Sequence, residues 1–294
     1  KISKQLAPVY LWFSLHDTTP CVQAEHQAVY CQTSFPFMKP KFQDLRFDPK
    51  IVLFTLFTRF AYKVNVRRND YLVVQTQWLR EGLSKMLDVD RNRFIVAPPK
   101  VNVPAYDHGT MIQPPVFIYP ATADCHKNFE TLCEAARLLE NEIGKGRFKV
   151  LITVDGSENK YSAWLKQNWG DVESIDFHGL VKRDELFRLY SEASALVFPS
   201  RVETWGLPIT EFAETGRTLL LADLPYAHET AAGKPNVGYF RHDDPEDLKT
   251  FMRKMIAGDS FGKSAEILPQ GNCAGNWEEL FNKLLIFFQK NAPI

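Results

Sequence analysis

The sequence predicts an α/β protein built from two open parallel sheets, each covered by helices on both faces. Three observations carry that reading. Short, continuously apolar runs recur along the chain, and many alternate with segments whose apolar residues fall at helical spacing. A proline-rich stretch at residues 98–115 interrupts the alternation. Beyond it the strand–helix–strand pattern restarts in a more regular form.

Taken in order, residues 8–14 and 28–31 are short apolar runs and predict two buried strands. Residues 51–66 are apolar with a helical drift. Residues 71–75 (YLVVQ) predict a third strand, 78–87 an amphipathic helix, and 94–97 a fourth strand closed by Pro98 and Pro99. Residues 98–115 hold five prolines and little periodicity, which reads as a linker. Past the linker, residues 116–119 predict a strand, and Phe129, Leu132, Cys133, Ala136 and Leu139 step along one helix face. Further strands are expected at 150–154, 175–177, 195–198 and 218–222. Helices are expected at 185–193, with Leu186, Leu189 and Tyr190 inward, and at 208–215. Pro245 opens the last helix of this unit, where a first-turn proline is favourable. The tail places Trp277, Leu280, Phe281, Leu284, Leu285 and Phe288 at helical spacing, which predicts a helix docked on the body. A membrane-surface helix is the alternative there, and its flanks offer only Lys283 and Lys290 as cations.

The expected organisation is therefore a first unit at 1–113, a second at 114–275 and a C-terminal helix at 276–294. The first unit has only about four strands and starts directly on an apolar one. It is expected to be short or to lack an N-terminal piece.

Composition narrows the function classes. Of the 294 residues, 45% are hydrophobic and 24% charged, as in an ordinary globular protein. Lys plus Arg and Asp plus Glu each number 35, so the balance offers no electrostatic case for nucleic acid. The five cysteines (Cys21, Cys31, Cys125, Cys133 and Cys273) are irregularly spaced and include no CxxC pair. They predict neither a zinc site nor a disulfide framework, but free thiols in a reducing compartment. No run approaches the roughly 18–20 apolar residues that span a bilayer, and the first residues lack a signal-peptide pattern. A cytoplasmic location is expected, with peripheral association to the inner face of the plasma membrane left open.

The most informative stretch is FPSRVETWGLPITEF, from Phe198 to Phe212. A buried strand ends at Pro199, a loop containing Gly206 follows, and Pro208 sits where a helix would start. Glu211 is expected in the first turn of that helix. Helix N-terminal amides at the rim of a parallel sheet suit a pyrophosphate, and Gly206 lets the backbone approach it closely. Glu203 and Glu211, eight positions apart, could accept hydrogen bonds from a donor sugar and a ribose. Taken alone, such a glutamate pair is common by chance, and Lys127 alone would read as a surface lysine.

The segment resembles the E-x7-E signature of retaining GT-B glycosyltransferases, the large family 4 type. Five further segments resemble the same family in the right order: Phe117–Pro120 in sequence FIYP with His126-Lys127-Asn128; residues 150–156; residues 177–180 with the helix from Asp184; Ala222-Asp223-Leu224-Pro225; and His228-Glu229. The wording around E-x7-E also resembles bacterial enzymes of O-antigen and capsule polysaccharide synthesis.

The resemblance implies two Rossmann-like domains with an active site in the cleft between them. It implies transfer of a sugar from a nucleotide-sugar donor, UDP- or GDP-linked, to a glycan or lipid-linked glycan acceptor, with retention. By position, Glu211 would bind the ribose, Glu203 the donor sugar, and Lys127 the diphosphate leaving group. Thr204, Trp205, Gly206 and Leu207 would hold phosphate, and His178 lies where the base is taken. The resemblance implies a lysine-based site that needs no metal or further cofactor. The family's arginine shortly before the lysine is missing, since Thr122-Ala123-Asp124-Cys125 stands there; Arg201 is the candidate substitute. On the acceptor side, Gln32 stands near the place of a family histidine, and His16 with Asp17 is the other candidate. The family's glycine-rich first loop is not visible. A nucleotide-sugar-binding subunit without turnover, or an epimerase, remains as an alternative from the residues alone.

Overall fold

A computed structural model of the protein describes residues 2–6, 8–104 and 113–290. The first part runs α1 (Ile2–Leu6), β1 (Leu11–Ser14), β2 (His26–Tyr30), α2 (Phe42–Phe47), α3 (Pro49–Lys63), β3 (Tyr71–Val74), α4 (Gln77–Leu87) and β4 (Phe94–Val96). Its strands form one parallel sheet in the simple order β1-β2-β3-β4, with Ala28 opposite Tyr71 and Leu72 opposite Phe94. Side chains alternate across a strand, so this sheet has two apolar faces. Val29, Leu72, Val74 and Phe94 pack under Leu79, Leu83 and Leu87 of α4. Ala28, Tyr30, Val73 and Ile95 face the other way.

The second part runs β5 (Val116–Tyr119), α5 (Phe129–Ile143), β6 (Lys149–Ile152), α6 (Lys160–Trp169), β7 (Ile175–Phe177), α7 (Arg183–Glu192), β8 (Ala195–Phe198), α8 (Leu207–Ala213), β9 (Thr218–Ala222), α9 (Pro225–Thr230), β10 (Val237–Phe240) and α10 (Pro245–Ile256). The strand order is β10-β9-β8-β5-β6-β7, all parallel. The chain builds outward from β5 through β6 to β7, then returns to build β8, β9 and β10 on the other side. The point where this direction reverses lies between β5 and β8. Strands β8 and β9 are buried at every position, as strands covered on both faces must be.

The last helix, α11 (Trp277–Lys290), returns to the first sheet. Its Leu280 and Leu284 are buried against Ala28, Tyr30, Val73 and Ile95, and Phe281 meets Phe13 edge-on at 5.5 Å. The chain just before it runs beside β4, where Ala274 donates to the Val96 carbonyl at 2.8 Å. The side chain of Phe288 and residues 105–112 of the proline-rich stretch, with the linker expected there, lie outside the described residues.

Several expectations shift. Phe187 rather than Leu186 turns fully inward on α7 beside Leu189 and Tyr190. Strand β10 and helices α2, α6 and α9 were not anticipated. Gly238 breaks the apolar run of β10, α2 and α9 are six-residue helices too short to show a period, and α6 buries only Tyr161, Ser162 and Leu165.

Candidate active site

A crevice forms in an open parallel sheet where the loops beyond neighbouring strands depart in opposite directions. In the second sheet that place is the carboxyl ends of β5 and β8. Tyr119 ends β5, and a short turn, Cys125–Lys127, follows before α5. Phe198 ends β8, and the loop carrying Glu203 follows before α8. The topology thus brings together two residues 76 positions apart: Lys127 Nζ donates to Glu203 Oε1 at 2.7 Å. Their side chains are 16% and 14% exposed, so the pair is largely shielded but open to the crevice.

A hydrogen-bonded frame fixes the pair. Ser200 Oγ donates to Glu203 Oε1 at 2.7 Å. Tyr119 Oη donates to the Lys127 carbonyl at 2.8 Å and lies 3.1 Å from Ser200 Oγ. Tyr226 donates to the Ser200 carbonyl at 2.7 Å. Burial pushes the Tyr119 and Tyr226 hydroxyls well above the usual tyrosine range, so both keep their protons as donors.

Lys127, Glu203, Thr204, Trp205, Gly206 and Leu207 line one cavity of about 250 Å³. Gly206 caps α8 with φ at +88°, in the left-handed region that favours glycine. A Cβ there would also press Ile209 at 3.1 Å. Trp205 is held by its indole N–H, which donates to Thr210 Oγ1 at 2.8 Å.

Glu211 belongs to the second turn of α8 rather than the first, because the helix starts at Leu207. It is buried; Arg183 pairs with it at 3.0 Å and Tyr190 donates to it at 3.4 Å. Burial raises its carboxyl above the usual range, against the pull of Arg183 and Tyr190. His178 follows β7, the edge strand, where its Nδ1 lies 3.4 Å from Asp176, so it stands apart from the Lys127 cavity.

Arg201 requires a correction. Expected as a substitute diphosphate cation, it is instead buried against the first domain. Its guanidinium grips both carboxylate oxygens of Asp44 and also donates to the Cys125 carbonyl at 3.1 Å. A guanidinium removed from water needs such a partner, and Asp44 supplies it. On the acceptor side, Asp17 sits at φ +59° and its Oδ1 accepts from the N–H groups of Gln32 and Thr33. It therefore ties two loops together, and His16 beside it is exposed and lines none of the cavities described here. Gln32 does face the cleft, in a second cavity of about 260 Å³ with Leu15, Tyr30 and Trp277.

Gln75 escaped the sequence reading. It lines the donor-side cavity, the Gln32 cavity and a third of about 360 Å³ between the domains. The available signal was positional: it is the first residue past the carboxyl end of β3. Glu229 was read only as part of a family-like segment, not as a site residue. Its carboxylate accepts from the Gln77 and Trp78 N–H groups at 2.6 Å each, at the start of α4, and so joins the two domains. His126, also buried between the domains, has its imidazole pushed down to about 3 by burial, then by the charges of Lys127 and Arg201.

Two Rossmann-like domains facing one cleft, with the charged pair at the switch point of the second, define the GT-B architecture. Residues 114–257 match the family described as Glycosyl transferases group 1. The O-antigen chain mannosyltransferase RfbU of Salmonella typhimurium is 25% identical over 203 residues, covering 68% of this chain and 55% of that protein. The serotype-specific mannosyltransferase WbdA of Escherichia coli is 26% identical over 144 residues, covering 48% of this chain and 17% of that protein. The chain thus spans little more than half of RfbU and a sixth of WbdA. Among solved structures, a glycosyltransferase from Rickettsia africae ESF-5 superposes with a TM-score of 0.63 at 12% identity, covering 98% of this chain and 78% of that one. The pneumococcal O-GlcNAc transferase GtfA, in complex with UDP and GlcNAc, gives 0.61 at 15% identity, covering 98% and 58%.

Proposed function

We propose that the protein transfers a sugar, with retention, from a nucleotide-sugar donor to a glycan or lipid-linked glycan acceptor in polysaccharide synthesis. The observation that carries this is the Lys127–Glu203 pair, 2.7 Å apart in a crevice at the switch point of a group 1 domain. Sugar transfer breaks the bond between the anomeric carbon and a diphosphate oxygen, and negative charge builds on that oxygen. Lys127 is the group positioned to neutralise it, an electrostatic contribution aimed at the transition state. Glu203 holds the ammonium in place and offers its second oxygen to donor-sugar hydroxyls. Glu211, kept by Arg183 and Tyr190, is assigned to the ribose. RfbU and WbdA are mannosyltransferases by name, which makes GDP-mannose the first donor to try alongside UDP-sugars. A lipid-linked acceptor places the protein at the inner face of the plasma membrane.

Calorimetric titration with UDP, GDP, ADP and dTDP, repeated on Glu211→Ala, tests the donor site. One nucleotide is expected to bind, and the substitution to weaken it by about 1–3 kcal/mol, as for a buried polar partner left unmade. No binding by any nucleotide would remove the donor-site reading.

A further inference from the structure

The cavity of about 360 Å³ between the domains is separate from the space assigned to the donor diphosphate. Its size falls within the roughly 300–1,000 Å³ of small-molecule sites. Both domains wall it, and the stretch returning to the first sheet closes it with Ile267, Pro269 and Cys273. Glu229, accepting from the first N–H groups of α4, fixes one wall against the other.

Two buried polar atoms are left over at this place. Gln75 Oε1 and Gln77 Oε1 have no hydrogen-bond partner, and both residues line the cavity. The Gln75 side chain also hydrogen-bonds Tyr30, which sets its orientation. A buried carbonyl oxygen without a partner is costly, and a ligand hydroxyl would satisfy it. Gln75 lines two other cavities, but this one alone of the three adds Gln77.

The rest of the lining selects among ligands that carry hydroxyls. Val96, Trp205, Ile267 and Pro269 present apolar surface, which suits the C–H face of a pyranose ring. Among the described residues, no Lys or Arg lines the cavity. A phosphate or carboxylate would therefore enter without a counter-charge. The two carboxylates that line it are already engaged. Glu229 accepts from the Gln77 and Trp78 N–H groups, and Glu279 pairs with Lys283 at 2.8 Å and accepts from the Gly275 N–H at 2.8 Å.

We propose that this cavity binds a neutral pyranose unit of the acceptor glycan, with Gln75 and Gln77 accepting hydrogen bonds from its hydroxyls. Gln75 and Trp205 line the Lys127 cavity as well. A hydroxyl held by Gln75 thus stands at the junction of the two spaces, beside the place where the donor bond breaks. The acceptor role rests on the transferase reading; the neutral-sugar site does not.

The test is saturation-transfer NMR on the full chain. Methyl α-mannoside, methyl α-glucoside and methyl α-galactoside are the neutral probes, and glucuronic acid and glucose 6-phosphate the anionic ones. At least one neutral probe is expected to bind, and neither anionic one. Gln77→Leu should weaken the neutral probe about fivefold, as for one lost hydrogen bond. Ile267→Trp, at a rim position 41% exposed, should fill the cavity and abolish binding. Neither residue lines the Lys127 cavity, so melting temperature and nucleotide affinity should stay unchanged in both variants. Binding by no neutral probe, equal binding of the anionic probes, or undiminished binding in both variants would overturn the proposal. Sugar binding by a chain that binds no nucleotide would sink the transferase reading and leave the sugar site standing. Nucleotide binding without sugar binding would do the reverse.

Discussion

The two sheets are wound differently. The second starts from its middle strand and grows in both directions, whereas the first runs β1 to β4 in simple order without a reversal. Only a reversal makes the loops past adjacent strands part from one another and leave a crevice. That is why Lys127 and Glu203 converge in the second domain. The first domain instead meets the crevice with Gln75 at the end of β3 and Gln32 past β2, which share a cavity with Tyr30 and Trp277, and Gln75 also walls the Lys127 cavity. The charged chemistry sits on one sheet, and the other supplies walls and contacts.

The sharpest way to break that division is through the contacts joining the domains. Arg201→Ala leaves Asp44 buried without its cation, and losing one partner of a buried pair costs about 3–5 kcal/mol. Urea unfolding should show that loss; one below about 1 kcal/mol would mean that the pair does not couple the domains. Next in size, Lys127→Ala should lower turnover about 10²–10³-fold, the effect of removing one charge-stabilising donor. Gln75→Ala should leave nucleotide affinity at the wild-type value. Equal loss of nucleotide affinity in both variants would place donor binding on both sheets.

A smaller effect is expected from His126. Its imidazole is held at about 3 in the folded protein against an ordinary value of 6.5. The folded state therefore binds fewer protons than the unfolded chain between those values. Stability from this group is fully present above about 6.5 and is lost progressively as pH falls toward about 3. Between pH 7 and 5 the loss amounts to about 2 kcal/mol. His126→Asn should flatten this part of the stability–pH curve, measured by chemical denaturation, and an unchanged slope would assign it to other groups.

Strands such as β8 and β9 were legible because burial on both faces leaves an unbroken apolar run. Phe129, Leu132 and Leu139 revealed α5 because one buried face imposes a helical period. Strand β10 has its apolar run broken by Gly238, and the six-residue α9 is too short to show a period. Within the candidate site, the strand–loop–helix around Glu203 and Gly206 was legible because its residues are contiguous. The partner of Arg201 was not, since Asp44 lies 157 positions away and nothing local announces it.

The sequence by itself determined the α/β class, most strand positions, the glycine before α8 and the two glutamates, Glu203 and Glu211. These follow from local patterns of burial and backbone freedom. Only the tertiary structure decided that Lys127 meets Glu203, that Arg201 turns away to Asp44 and that the tail helix covers the first sheet. Each of these depends on which distant surfaces share limited buried space, and a local pattern does not record that.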